Sequence, residues 1–218
     1  MEIKLYYFDI PFWRAEVTRL ALFLGDIPFT DCRIKKEEYV IFKSEGRLPN
    51  NIIAPFKQLP VLEVDGKIFS QTGAIARYCG KLSGLYPIKN DIEAANVDQV
   101  IEAAQDINFM VTLSNRDKEF QKKKIAREIL ATKHLPKWFN FLENLIHSNK
   151  QSIWFVGQNM TIADLAIWRL LGWLKSGMLD GVPTSILDNF PNLNIMREEI
   201  YQHPKIKEWM IKNYGKNI

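Results

Sequence analysis

Cysteine is scarce in this chain of 218 residues, which has only Cys32 and Cys79. They form no CxxC pair and no metal-ligand spacing, so neither a dithiol redox motif nor a metal cofactor is expected. Both sit among apolar neighbours and read as reduced, buried structural thiols. Long apolar runs are missing too: none approaches the roughly eighteen residues that a spanning helix needs, so no membrane partner is expected. The first ten residues, MEIKLYYFDI, lack a basic segment leading into an apolar one. No signal peptide is read there, and a cytoplasmic location is the expectation. Charge of one sign is in short supply as well, because 29 Lys and Arg face 25 Asp and Glu for a net +4. The single basic run, Lys122-Lys123-Lys124, reads as a solvated helix face. No groove-reading motif accompanies it, so nucleic acid is not an expected partner. There is no internal repeat and no low-complexity segment.

What is present suits one large globular domain or two small ones: 47% of residues are hydrophobic and 12% aromatic. Residues 2–8 alternate and are partly β-branched or aromatic, which predicts a first strand. Asp9-Ile10-Pro11 breaks it. Val17, Leu20, Ala21 and Leu24 then make a helical stripe over residues 13–25, ending at Gly25. Phe29 to Ile34 reads as a second strand. Residues 35–56 have no sustained period and carry Gly46, Pro49 and Pro55, so mostly loop is expected there. Beyond about residue 83 no strand pattern returns. Long helices are expected over 91–115 and 120–148, another over 161–175, and shorter ones near 184–189, 192–201 and 203–213.

The chain is organised around residues 57–66, KQLPVLEVDG, and 70–78, SQTGAIARY. Pro60 stands at the mouth of an apolar strand, where a proline is tolerated and where a cis bond is a candidate. Asp65-Gly66 is a tight-turn pair between two short strands. Gln71-Thr72 opens a helix with apolar positions at Ile75, Ala76, Cys79 and Leu82. A helix start offers free N–H groups and partial positive charge, which suit a carboxylate. The backbone beside Leu59-Pro60 can pair with an extended peptide. A small peptide with a free carboxylate and amine fits both features; the alternative is a hairpin and a capped helix with no ligand.

The order strand–helix–strand–loop–strand–strand–helix predicts a mixed four-stranded sheet with one right-handed parallel crossover. The fold class is therefore α+β: a thioredoxin-like N-terminal domain over 1–82, a linker at 83–90, and an all-helical domain over 91–218. Thr161-Ile162-Ala163-Asp164 is a capping-box pattern and is assigned to folding.

The two organising stretches resemble the glutathione-binding motif of cytosolic glutathione S-transferases, closest to the sigma class, with Thr72 in place of the more frequent serine. The resemblance extends over nearly the whole chain. It implies conjugation of glutathione, the co-substrate, to a small hydrophobic electrophile by a homodimer. A thiol is a poor nucleophile until ionised, so a donor aimed at the sulfur helps by favouring the thiolate. Tyr7, in the "YF" pair ending the first strand, maps to the family's catalytic tyrosine. Its neighbour Tyr6 competes, and strand alternation puts the two on opposite faces. Arg14 falls where sigma-like enzymes keep an arginine near the sulfur, or is an exposed helix-start arginine.

By the same resemblance Tyr39, Lys43 and Gln58 contact the glycyl end of glutathione. Leu59 and Pro60 pair with the cysteinyl unit. Gln71 and Thr72 hold the γ-glutamyl carboxylate, and Asp106 reaches the γ-glutamyl amine across the dimer. The apolar second-substrate wall is drawn from Phe8, Phe12, Trp13, Phe109, Met110, Ala166 and Leu170. Alternatives to the transferase reading are a glutathione-dependent isomerase of the prostaglandin D synthase kind and a non-catalytic binding protein. A thiol oxidoreductase on this fold needs a cysteine at the first strand–helix turn, and Asp9-Ile10-Pro11-Phe12-Trp13 has none.

Overall fold

The computed structural model describes residues 1–117 and 119–215, with Asn50 described by its backbone alone. It divides into two compact units, Met1–Ile88 with Lys205–Ile218, and Lys89–Pro204. The first boundary falls inside the expected linker. The last helix, expected within 91–218, groups with the first unit.

In the first unit β1 (Ile3–Phe8) leads into α1 (Trp13–Leu24), β2 (Thr30–Ile34) and α2 (Lys36–Glu45). Two short antiparallel strands follow, β3 (Arg47–Leu48) and β4 (Ile52–Ile53). Then come β5 (Val61–Val64), β6 (Lys67–Ser70) and α3 (Thr72–Ser83). The sheet order is β2-β1-β5-β6, with β1 and β2 parallel and the other pairs antiparallel. This is the thioredoxin-like mixed sheet. Asp65 and Gly66 both take positive φ, 47° and 77°, as a two-residue turn of mirror-image type needs. Ile3, Leu5, Tyr6 and Tyr7 are all buried, as a central strand covered on both faces requires. Gly25 closes α1 where a Cβ would come within 2.6 Å of the Ser83 Cβ, so the ends of α1 and α3 meet only around a glycine.

Residues 35–56 are not mostly loop. Of the residues in α2 only Phe42 is buried, so the helix shows almost no apolar stripe for a periodicity reading to find.

The second unit is helical throughout its regular elements: α4 (Asp91–Ser114), α5 (Phe120–Ile129), α6 (Leu135–Ser148), α7 (Ile162–Leu174) and α8 (Pro191–Gln202). The Asn90 side chain caps α4, accepting from the N–H groups of Ile92 and Glu93 at 3.1 and 3.2 Å. A π-helical turn over Leu130–His134 joins α5 to α6, so 120–148 is two helices around a bulge. Eleven of the thirteen residues of α7 are buried, which makes it the central helix of the unit. Residues 184–189 form turns rather than a helix. Their backbone bonds span three residues, as from the Ile186 N–H to the Pro183 carbonyl at 3.1 Å. The chain ends its described part in α9 (Pro204–Tyr214).

Candidate functional site

The sheet register collects one end of the first unit. Tyr6 lies opposite Val61, and Val61 lies opposite Ser70. One residue further along each strand stand Tyr7, Pro60 and Gln71. Three adjacent strands sit about 4.8 Å apart, so the span from Tyr7 to Gln71 is about 10 Å. An extended tripeptide also spans about 10 Å. The Leu59–Pro60 bond is cis, and the β5 ladder begins only at Val61, leaving the Leu59 backbone outside it.

Tyr6 and Tyr7 separate as alternation predicts. The Tyr6 hydroxyl donates to Glu63 Oε2 at 3.0 Å, so it is already engaged. Tyr7 is 4% exposed, and its hydroxyl makes no hydrogen bond among the described residues. The Arg19 guanidinium carbon lies 6.0 Å from its ring centroid. Burial pushes the Tyr7 phenol up to about 12, against the opposing pull of Arg14 and Arg19. It is therefore a neutral donor at physiological pH, with two cations beside it. Arg14 is half-buried, and its buried Nε has no partner among the described residues.

Edge-to-face ring contacts carry the site outward to α2: Tyr7 to Phe8 at 5.3 Å, and Phe8 to Tyr39 at 4.8 Å. Lys43, one turn beyond Tyr39 on the same helix, is exposed. Gln58 is exposed as well. Gln71 holds φ 80° and ψ 119°, a region that side chains rarely adopt, and it makes no side-chain cap. The first N–H groups of α3, beginning at Thr72, lie beyond the reach of the helix's own carbonyls.

The first unit thus brings together Tyr7, Phe8, Arg14 and Tyr39 by contact or electrostatics, and Leu59, Pro60, Gln71 and Thr72 by register. Phe12 is half-buried. Trp13, a candidate for the second-substrate wall, is 0% exposed and presents no surface to a ligand. In the second unit Asp106 and Phe109 are exposed on α4 and Met110 is half-buried. Ala166 and Leu170 are fully buried within α7 and are core residues. An apolar residue on a helix buried nearly all round packs against its neighbours, and the sequence pattern alone does not distinguish that from a pocket wall.

Cys79 is fully buried, and burial raises its thiol to about 12. Cys32 is half-buried beside Tyr6, Asp31 and Lys4, in a more polar setting than expected. Arg19 escaped the sequence reading. The one available signal was a Glu16–Arg19 pair, three residues apart, inside the apolar stripe of α1. Among the described residues no cluster of His, Cys, Asp or Glu is fit to hold a metal, and no helix is long and apolar enough to cross a membrane.

Two family models match the chain. "Glutathione S-transferase, N-terminal domain" covers residues 3–81, and "Glutathione S-transferase, C-terminal domain" covers residues 105–213. Glutathione S-transferase 1 of Ascaris suum is 32% identical, over 96% of this chain and 95% of its own length. The chain belongs to the glutathione S-transferase family. Other members it resembles carry a different activity in their names. The hematopoietic prostaglandin D synthase of Gallus gallus is 29% identical over 96% of this chain and 95% of its own. The structure of prostaglandin synthase D of Nilaparvata lugens superimposes with a TM-score of 0.83 at 29% identity, covering 97% of this chain and 98% of that one.

Proposed function

We propose that the protein binds glutathione across the end of its first sheet, ionises the thiol beside Tyr7, and transfers it to a hydrophobic electrophile. The observation that carries this is the neutral, buried phenol of Tyr7, without a hydrogen-bond partner among the described residues and flanked by Arg14 and Arg19. A phenol O–H and two cations favour the thiolate over the thiol. Charge-assisted hydrogen bonds of this kind contribute about 1.5–3 kcal/mol, enough to lower a thiol by one to two pH units. The α3 N-terminus with Gln71 and Thr72 receives the γ-glutamyl carboxylate. The Leu59 backbone pairs with the cysteinyl unit. Tyr39, Lys43 and Gln58 close on the glycyl end. Phe8 and Phe12 of the first unit supply apolar surface for the electrophile. Assignment to the sigma class, a cytoplasmic homodimer and the reach of Asp106 into the partner subunit's site belong to the same proposal.

The test is the pH dependence of glutathione conjugation to a chloronitrobenzene by wild type and Tyr7→Phe. The variant is expected to retain glutathione binding and lose on the order of tenfold to a hundredfold of its rate near neutrality, the loss of one or two pH units of thiol ionisation. An unimpaired variant sinks the assignment of Tyr7. A second reading is a glutathione-dependent isomerase, which the prostaglandin synthase names among the relatives favour. Thiolate formation without conjugation points to it. Glutathione binding without thiolate formation points to a non-catalytic binding protein.

A further inference from the structure

Arg19 and Glu16 are both fully buried in the first unit. Arg19 Nη2 donates to the Phe8 carbonyl at 2.9 Å, and Nη1 donates to the Ile10 carbonyl at 3.0 Å. These carbonyls flank Asp9 where β1 ends, one residue beyond Tyr7, so one guanidinium fixes the exit of the strand that carries the phenol. The same guanidinium pairs with Asp31 Oδ1 at 3.0 Å and Glu16 Oε2 at 3.1 Å. Glu16 in turn accepts from two groups of α9, the Trp209 indole N–H on Oε1 and the Tyr214 hydroxyl on Oε2, each at 2.6 Å.

We infer that Arg19 is the positioning residue for Tyr7, and that α9, through Tyr214 and Trp209 on Glu16, sets how strongly the charge of Arg19 is felt at the phenol. The inference rests on the reading in which Tyr7 stabilises a glutathione thiolate. Two short donors spread the Glu16 charge away from Arg19. Taking one away concentrates that charge on the guanidinium, weakens the positive field at Tyr7 and makes the bound thiol harder to ionise. Arg14, Arg19 and Tyr39 act electrostatically on Tyr7. Glu16, Asp31 and Tyr214 act on Arg19. Arg33 lies 5.4 Å from the Tyr214 ring centroid, pairs with Asp31 at 2.8 Å and also meets Asp9.

The experiment is a pH titration of the ultraviolet thiolate absorbance of bound glutathione, on the full chain, for wild type, Tyr214→Phe and Trp209→Phe. Trp209→Phe removes only a donor to Glu16, whereas Tyr214→Phe also removes the hydroxyl oxygen that accepts from Arg19 Nη1 at 3.3 Å; both keep an aromatic ring. The expected result is a midpoint moved upward by about half to one pH unit, three- to tenfold less thiolate on its acid side. Conjugation should recover at higher pH, with the glutathione Kd changed by less than about twofold. Arg19→Lys keeps the charge but cannot span two carbonyls, and it should lose rate at every pH. If the two α9 variants lower the melting temperature while their midpoints stay at the wild-type value, the network is structural only and the inference is overturned. If wild type forms no bound thiolate, the reading of Tyr7 fails and this inference falls with it. Should Tyr214→Phe not fold, Trp209→Phe decides alone.

Discussion

At the scale of single residues, Gln71 shows the most visible conflict between local preference and placement. Its φ of 80° suits glycine, and holding a longer side chain there costs about 1–3 kcal/mol. Such strain persists where the surroundings impose it, commonly at ligand clamps. Two substitutions separate strain from binding. Gln71→Gly removes the strain and the side chain, so the melting temperature should hold or rise while glutathione affinity falls about tenfold, a loss on the order of one charge-assisted hydrogen bond. Gln71→Ala keeps the strain and should hold the wild-type melting temperature while losing affinity. Calorimetry with and without glutathione checks the pair, and equal affinity in all three proteins would remove Gln71 from the site. Tyr7 makes a complementary point about pH. Its phenol, raised to about 12, stays protonated through the neutral range, so the rise of conjugation rate with pH should track the glutathione thiol alone. A second ionisation below about pH 10 in the rate profile would show that the phenol is less buried than its 4% exposure indicates.

At the scale of elements, the start of α7 is the best-defined structure in the second unit. Asp164 accepts from the Thr161 N–H at 2.7 Å, the Thr161 hydroxyl at 2.9 Å and the Phe155 N–H at 2.9 Å. The Thr161 hydroxyl oxygen accepts from the Ala163 N–H at 3.2 Å, completing the box. Asp164→Ala orphans buried N–H groups and should cost about 1–3 kcal/mol at neutral pH. Burial holds the Asp164 carboxyl up at about 6, although its hydrogen bonds pull it down. The folded pKa lies above the unfolded value near 3.9, so folding takes up a proton between them. This contribution is complete below about pH 4 and is lost as pH rises through 6, by about 2–3 kcal/mol. The stability gap between wild type and Asp164→Ala should therefore be wider at pH 4 than at pH 7. Urea midpoints at the two values test it, and a gap that widens toward neutrality contradicts the sign. This element was legible in the sequence because capping chemistry is local: four consecutive residues carry it. The four strands of the main sheet, the Asp65-Gly66 turn, α1, α3, α4 and α7 were legible for the same reason. α2 was not, because its Val40 and Ile41 are exposed and only Phe42 is buried, which erases the period. Trp13 was misplaced because a ring at a helix start reads alike whether it faces a cleft or the core.

At the scale of the whole molecule, the first unit is assembled from both ends of the chain. Residues 204–213 fall inside the family's C-terminal domain by sequence, yet from Lys205 onward they group with the sheet. The reason is Glu16, fully buried, whose carboxylate meets Trp209 and Tyr214 across 193 and 198 positions of chain. No local pattern announces a partner that far away. Phe23 packs on the Trp209 ring at 5.0 Å between centroids, and Lys205 reaches both carboxylate oxygens of Asp26 at 2.6 Å. Without α9 the Glu16 carboxylate loses two of its donors, and an incompletely paired buried charge costs about 3–5 kcal/mol. A domain stable by about 5–15 kcal/mol, stripped also of the apolar cover of Trp209, has little left. A fragment of residues 1–88 should therefore lack near-ultraviolet circular dichroism and a cooperative urea transition. Adding a peptide of residues 204–218 should restore both in a concentration-dependent way, because the missing donors come back by mass action. A fragment that melts cooperatively with the midpoint of the full chain would show that α9 is dispensable to the sheet. That outcome would also leave the control of Arg19 by α9 without a structural basis.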